Sequence, residues 1–498
     1  MTVFIFAILL MPLIGYTLWH LMGIIVSAME RQKPIYRSAL QTTMDKVPGK
    51  VAILYTTCND FNPAALMTLI NQKHVATDIF ILDDSTSDTV RDQIDEWVNS
   101  HPVDVLVVRR SNRMGYKGGN INHWLSKFGD PNRYPYILIA DADECLPSNF
   151  TSQLLAHMDS GPYAFVQGCH LGLANIQSYF QSMLHLQVEM EWLHQVPARN
   201  LTGMPPMLGH GVLIKIKPFL EVGGFPDLVS EDLALTIRLA EKGQVGVIAP
   251  HIIGYEEFPQ HYQAYWMRRK RWIKADAEVV RNMFKNMIRN KLGWLARLDL
   301  LAREFRLPLA SSYWIILILL ATMTPNLDSN LVLWHPATWG ILPVFLSPAL
   351  PALWVNRISL PNRIKYILTA SFIGASTIHL HPLSTLQGLF GITGFEPTGA
   401  RQNARPDTSS SRYFLWELIS SLIIVAGGIN ADNWVLVAIG FSIICSPALR
   451  NFRQQQVLQV GTLVFWALIA YQVFLDAQNG SIPSGHLIPL LGLAITLI

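Results

Sequence analysis

"YILIADADECLPSNF", residues 136–150, decides the fold. An apolar run from Tyr136 to Ala140 leads straight into two aspartates, Asp141 and Asp143, with one alanine between them. Such a run reads as a strand buried on both faces, the form taken in a parallel sheet covered by helices. Three earlier runs share the design: "VAILYTT" (51–57), "IFILDD" (79–84) and "VDVLVVRR" (103–110). Helix-like segments at 63–73 and 88–99 lie between them. Strands alternating with helices predict a mostly parallel α/β sheet. Ligands bind such sheets beyond the carboxyl ends of the strands. Asp60, Asp84, Asp141 and Asp143 all stand at or just past those ends, so they are expected in one crevice.

In an extended strand, side chains at i and i+2 point the same way, which puts Asp141 and Asp143 on one side. Two hard oxygen ligands so placed suit Mg²⁺ or Mn²⁺ shared with substrate phosphates. A solvated acidic loop would give the same triplet; the buried strand before it and Pro147 after it favour the ligand reading. "VSEDLALTIRLAEKG" (229–243) predicts a helix with Ser230 as N-cap and Leu233, Ile237 and Ala240 on its buried side. Glu231 and Asp232 fit there as first-turn acids favoured by the helix dipole. If the helix start faces the crevice, a carboxylate there also suits a general base. "RRSNRMGYKGGNINHWL" (109–125) joins a glycine-rich turn to Lys117, as a structural turn or as a close approach of backbone and charge to a diphosphate. "YWMRRKRWIKAD" (265–276) sets four cations between Trp266 and Trp272. It could grip nucleic acid, lie on an anionic membrane, or clamp a phosphate beside a sugar.

The whole chain narrows that choice. It has 498 residues, 50% of them hydrophobic and only 15% charged, so part of it belongs in lipid. A net charge of +3 lacks the broad basic excess of a nucleic-acid binder, and no nucleic-acid partner is expected. Cys58, Cys145, Cys169 and Cys445 form no CxxC pair and read as thiols in a reducing compartment. Residues 3–27 carry no charge and predict an N-terminal transmembrane anchor, taken as 1–28. Arg31, Lys33, Arg37 and Lys46 then place the next region, 29–300, in the cytosol. Residues 301–498 predict a multi-span membrane domain, with spans near 308–327, 333–355, 413–429, 434–449, 457–475 and 487–498. Segment 366–391 is expected to be interfacial or re-entrant, because that keeps Arg401, Arg405 and Arg412 on the cytosolic side.

The pieces then matter by their order. Asp84 in "LDDSTSD", followed by "NRMGYKGGNIN", "DADECLP", "GGFPDLVSEDLALTIRLAEKG" and "MRRKRW", resembles the membrane-embedded family 2 glycosyltransferases. The likeness is to processive members similar to cellulose, chitin and hyaluronan synthases, over roughly residues 50–275. Ordered motifs are far more specific than any one of them. The resemblance implies a GT-A type nucleotide-sugar domain, a divalent cation and an inverting single displacement. It matches Asp84 and the "TTCND" turn, with Thr56 and Asp60, to uridine contacts, and Lys117 to a lysine on the diphosphate side. It matches Asp141 and Asp143 to the metal-binding DxD and Asp232 to the general base; Glu231 beside it is expected to bind substrate. The family's QxxRW falls on Arg268, Arg271 and Trp272, with Arg268 where Gln is usual. "GFEPTGARQ" (394–402) shares only Phe395 and Thr398 with a cellulose-synthase gating loop, and no gate is assigned.

The resulting expectation is transfer of a hexose from a UDP-sugar to a growing β-linked glycan at the plasma membrane. Arg268 and Arg271 meet the departing UDP, and Trp272 offers its face to a sugar ring. The partners expected are the UDP-sugar donor, a glycan or glycolipid acceptor and membrane lipid, with room for an accessory export subunit. The rivals are single addition to a lipid carrier, metal-dependent phosphoester hydrolysis, and an inactive glycan-binding or transport subunit.

Overall fold

The computed structural model describes residues 49–323, 346, 349, 352, 358–392 and 410–478, apart from single positions inside those ranges. The anchor at 1–28, the span at 487–498, segment 394–402 and nearly all of 333–355 lie outside the described residues.

The strands are β1 (Val51–Thr57), β2 (Thr77–Asp83), β3 (Val105–Arg109), β4 (Tyr136–Asp141), β5 (Glu144–Cys145), β6 (Tyr163–Gly172), β7 (Val212–Lys215) and β8 (Val245–Glu256). They form one sheet in the order β3-β2-β1-β4-β7-β6-β8-β5. The half built from β3, β2, β1 and β4 is parallel throughout, and β6 runs parallel to β8. β7 is antiparallel to both β4 and β6, and β5 to β8, so the sheet as a whole is mixed. The continuous apolar runs have the cause expected of them. Val51, Ile53, Tyr55, Ile79, Ile81, Leu138 and Ala140 face one core, while Ala52, Leu54, Phe80, Leu82, Ile137 and Ile139 face the other. β1, β2 and β4 are thus sealed on both faces by the period-2 alternation of their side chains, whereas β3, at the sheet edge, leaves Leu106 exposed.

Register then builds the site. Thr57 stands opposite Asp83 across β1 and β2, and Thr56 opposite Asp141 across β1 and β4. The strand ends therefore finish level, and the acids that follow them open onto one rim. Opposite that rim runs the long helix Tyr262–Arg289, which carries the basic stretch.

The helix Trp294–Met323 passes through residue 300, so the α/β part and the apolar part share one continuous element. Trp294–Thr322, Tyr413–Asn430 and Gln454–Asp476 are long and apolar enough to cross a membrane. They overlap the spans expected at 308–327, 413–429 and 457–475. The stretch at 434–449 forms a shorter apolar helix, Trp434–Arg450. Leu415, Leu418, Ile419 and Leu422 stand exposed on the Tyr413–Asn430 helix, a greasy face that suits lipid. Segment 366–391 is two helices, Leu360–Ser376 and Leu380–Leu389, broken around Thr377 and His379.

Candidate active site

A cavity of about 790 Å³ lies between the strand ends and the long helix. Thr56, Asp60, Asp84, Lys117, Asp141, Asp143, Glu231, Asp232, Arg268, Arg271 and Trp272 all line it. These eleven candidate site residues thus reach one space, of the size that takes a small-molecule ligand.

The individual contacts refine the expected roles. Thr56 Oγ1 donates to Asp141 Oδ1 at 2.8 Å, so it steadies the DxD carboxylate from the neighbouring strand. Asp60 folds back on its own turn, accepting from Thr57 Oγ1 at 2.8 Å and from the Cys58 amide at 2.7 Å. Asp84 is gripped by Arg110 through two bonds, Nε to Oδ1 at 2.9 Å and Nη2 to Oδ2 at 2.6 Å. Arg110 was not singled out in the sequence. Its position just past β3, beside the end of β2, was the available signal.

Lys117 Nζ donates to Asp141 and to the Gly209 carbonyl, the latter at 2.9 Å. Burial works against its charge, but Asp141, Glu231 and Asp232 outweigh burial and raise its pKa. Of the two readings open for the glycines beside it, the structural one fits. A Cβ on Gly118 would come within 2.9 Å of Glu231 Cγ and Phe225 Cβ. One on Gly119 would strike the Met114 carbonyl. Both serve close packing of the helix Tyr116–Phe128, and neither opens backbone to the cavity.

Asp141 and Asp143 part company electrostatically. Burial alone would raise Asp141, yet Lys117 and His210 hold it below its usual range. Asp143 is driven well above the usual range by burial, then by Glu256 and Asp141. Excess buried negative charge next to open space is what a divalent cation relieves, so the two aspartates fit Mg²⁺ or Mn²⁺. His210 and Glu256, 3.5 Å apart and both on the cavity wall, went unnoticed in the sequence. Burial disfavours the His210 charge, but Glu256 and Glu144 prevail and take its pKa up to about 10. Glu144, His170 and His210 also bring ligand atoms within 4.8 Å of one another. Glu144 and His170 are fully buried and bonded to each other, and Glu144 Oε2 accepts from the Asp141 amide at 3.2 Å. They brace the DxD loop from behind.

The helix Glu231–Glu241 begins at the cavity, with Ser230 in the N-cap position but making no side-chain capping bond. Ile237 and Ala240 are buried as expected, whereas Leu233 is half-buried and turns to the cavity wall. Asp232 Oδ1 accepts from the Leu233 amide at 2.8 Å, and burial raises its pKa. Burial and the adjacent Asp232 push Glu231 up to about 8. A carboxyl with a raised folded pKa stabilises the fold fully below its unfolded pKa, and that contribution fades as pH rises through the folded value. Between pH 4.5 and about 8 wild type should therefore lose stability that Glu231→Gln keeps. Thermal unfolding in EDTA checks this: the variant's advantage grows with pH, and a flat difference would remove Glu231 from the raised pair.

On the facing helix, Arg268 and Arg271 line the cavity while Lys270 is buried on the opposite side. The Arg268 guanidinium lies 4.4 Å from the Trp272 ring centroid, so one face of that ring is already stacked. Burial and Arg268 together lower the Arg271 pKa. The cavity continues to Asp276, Arg303, Glu304 and Arg306, a charged lobe beside the apolar helices that the sequence reading did not include.

Comparison with known proteins places the chain among the glycosyltransferases. The model of glycosyl transferase family 2 matches residues 56–198, and that of glycosyl transferase family group 2 matches 136–356. Glucomannan 4-beta-mannosyltransferase 1 of Cyamopsis tetragonoloba is 24% identical over 381 residues, covering 70% of this chain and 68% of that protein. Glucans biosynthesis glucosyltransferase H of Xanthomonas oryzae pv. oryzae is 24% identical, over 45% of this chain and 37% of its own length. The chain thus spans about two thirds of one relative and little over a third of the other. Among solved structures, S. aureus TarS 1–349 in complex with UDP aligns with a TM-score of 0.37 and 13% identity, over 69% of this chain and 92% of that one. With those two matches running from residue 56 to residue 356, this stretch of the chain carries a family 2 glycosyltransferase domain built on a mixed α/β sheet.

Proposed function

We propose that the protein transfers a hexose from a UDP-sugar to an acceptor hydroxyl with inversion, extending a β-linked glycan. The observation that carries this reading is the cavity itself: strand-end carboxylates on one wall, an acid at a helix start, and paired arginines opposite. In the reaction, Asp232 takes the acceptor proton and the freed oxygen attacks the anomeric carbon. The bond from that carbon to the diphosphate breaks, and UDP departs with the bonding electrons. Arg268, Arg271 and Lys117 neutralise its charge, a stabilisation worth most in a site closed to water. A divalent cation held by Asp143 and Asp141 would add Lewis-acid charge at the same diphosphate. Asp84, held by Arg110, and Asp60 border the end of the cavity where the uridine would lie.

The acceptor is a glycan chain end or a glycolipid, presented from the side of the apolar helices. The positive-inside rule places the α/β domain in the cytosol beneath the plasma membrane, leaving an export subunit to act beyond the spans. Incubation of purified protein with labelled UDP-sugars, followed by sizing, tests the reading. Long product supports it; one added sugar on lipid makes it a single-addition enzyme. Release of phosphate without transfer makes it a hydrolase.

The basic helix offers a separate check. Arg271→Ala removes a charge-assisted contact to diphosphate, worth roughly 1.5–3 kcal/mol, so UDP should bind about 10–100-fold more weakly. Trp272→Ala should shorten the product and cost UDP affinity less than Arg271→Ala does, since it removes only the ring on which Arg268 rests. Calorimetry with UDP reads the first and product length the second. If Arg271→Ala binds UDP normally but no longer adheres to anionic liposomes, the helix is a membrane anchor.

A further inference from the structure

The rear of the cation-bearing helix meets a buried charged network that touches no part of the cavity. Trp266 and Lys270 lie there, both buried, one turn apart on the side opposite Arg268 and Arg271. The Arg450 guanidinium stacks 4.5 Å from the Trp266 ring centroid. Lys270 Nζ lies 4.9 Å from the Tyr413 ring centroid and 5.6 Å from that of Trp266. Arg450 is itself fixed by Glu417 through two bonds of 2.5 Å each, one per carboxylate oxygen. His379 Nε2 lies 2.7 Å from the same carboxylate, and Ser446 Oγ donates to it at 3.1 Å.

These residues come from three apolar elements: the break before Leu380–Leu389, and the helices Ser410–Asn430 and Trp434–Asn451. Ionisable groups among membrane helices are costly and rarely idle. A buried ion pair is also a poor source of net stability, since apolar replacements often do as well. What a two-bond arginine fork supplies is a fixed direction. Here it fixes a guanidinium plane against the indole at the back of the clamp. Trp266 precedes Arg268 by two residues and Arg271 by five, within one rigid helical stretch, so displacing the indole displaces both cations.

We propose that Glu417 and Arg450 are positioning residues, through which the apolar helices set where Arg268 and Arg271 stand over the leaving diphosphate. The inference rests on the phosphate-clamp reading above, and a double-mutant cycle keeps the two separable. Full-length protein in detergent would be titrated with UDP as wild type, Arg450→Lys, Arg271→Ala and the double variant. Arg450→Lys keeps the charge but loses the fork and the stacked plane. Charge-assisted bonds weaken steeply as their geometry worsens, and a loss of roughly tenfold in UDP affinity is expected. In the Arg271→Ala background the same change should cost only about threefold, because Arg268 alone is left to be displaced.

An undiminished loss in that background overturns the proposal, as does Arg450→Lys binding UDP within twofold of wild type. Normal UDP binding by Arg271→Ala alone would sink the clamp reading instead. If Arg450→Lys does not fold, the uncharged pair Glu417→Gln with Arg450→Gln takes its place in the cycle, with the same outcomes.

Discussion

Asp232→Asn is expected to bind UDP-sugar with near-normal affinity while losing transfer by roughly 10²–10⁴-fold, the usual worth of acid–base catalysis. The reasoning starts from what the substitution leaves intact. Asparagine keeps the shape and the oxygen that accepts from the Leu233 amide at 2.8 Å, so the helix start should hold. Only the capacity to take a proton is lost. Burial raises the pKa of Asp232, which moves it closer to neutrality and makes it a stronger base once ionised. In the proposed reading donor binding relies on Lys117, Arg268 and Arg271, all of which keep their places on the cavity wall in the variant. Calorimetry with UDP beside initial rates of transfer separates the two effects. Equal loss of binding and rate would make Asp232 a structural acid. Transfer at the wild-type rate would pass the role to Glu231, the other carboxyl at the helix start.

Much of this site was legible in the sequence, for a definite reason. A parallel strand buried on both faces must be apolar along its length, so its end is marked by the first charged residues, as at Asp84 and Asp141. Once the strands pair in parallel register, those ends lie level and their acids must meet. The helix at 231 was legible too, because acids at a helix start and apolar residues at helical spacing are both written locally. What escaped were partners brought in by non-local pairing. Arg110 reaches Asp84 because β3 lies beside β2, and Glu256 reaches His210 because β8 passes the DxD loop. Neither neighbour follows from spacing. The cations were harder still. Four basic residues in a row cannot say which way each points, and the helix divides them between the cavity and a buried rear face. The glycines stayed open between two readings for a related reason: a close approach is visible in a glycine, but the group that approaches is not. For Gly118 that group is Glu231, and no phosphate is needed to explain it.

The same electrostatics make Asp143→Asn the second large effect, with an unusual signature. Asp143 sits well above the usual carboxylate range, through burial and then through Glu256 and Asp141. Without a cation its neutral form is therefore favoured over a wide pH range, and an asparagine copies that form closely. The variant should melt in EDTA at or above the wild-type temperature, since it never has to bury the charge. Adding Mn²⁺ with UDP should reverse the order. A ligand present at 100 times its dissociation constant stabilises by about 2.7 kcal/mol, a shift wild type should show and Asp143→Asn should lack. Transfer should fall by roughly 10³-fold or more, the several kcal/mol that a metal's Lewis acidity supplies at a developing charge. The paired melting curves matter more than the rate. Loss of activity alone could follow from any damage to the DxD loop, which Thr56 and Glu144 also hold in place. Undiminished stability in EDTA with no response to Mn²⁺ and UDP, while UDP alone still binds, marks the loss of a cation ligand. If instead the variant responds to Mn²⁺ and UDP as wild type does, the cation is held elsewhere, and the raised pKa of Asp143 marks a proton site.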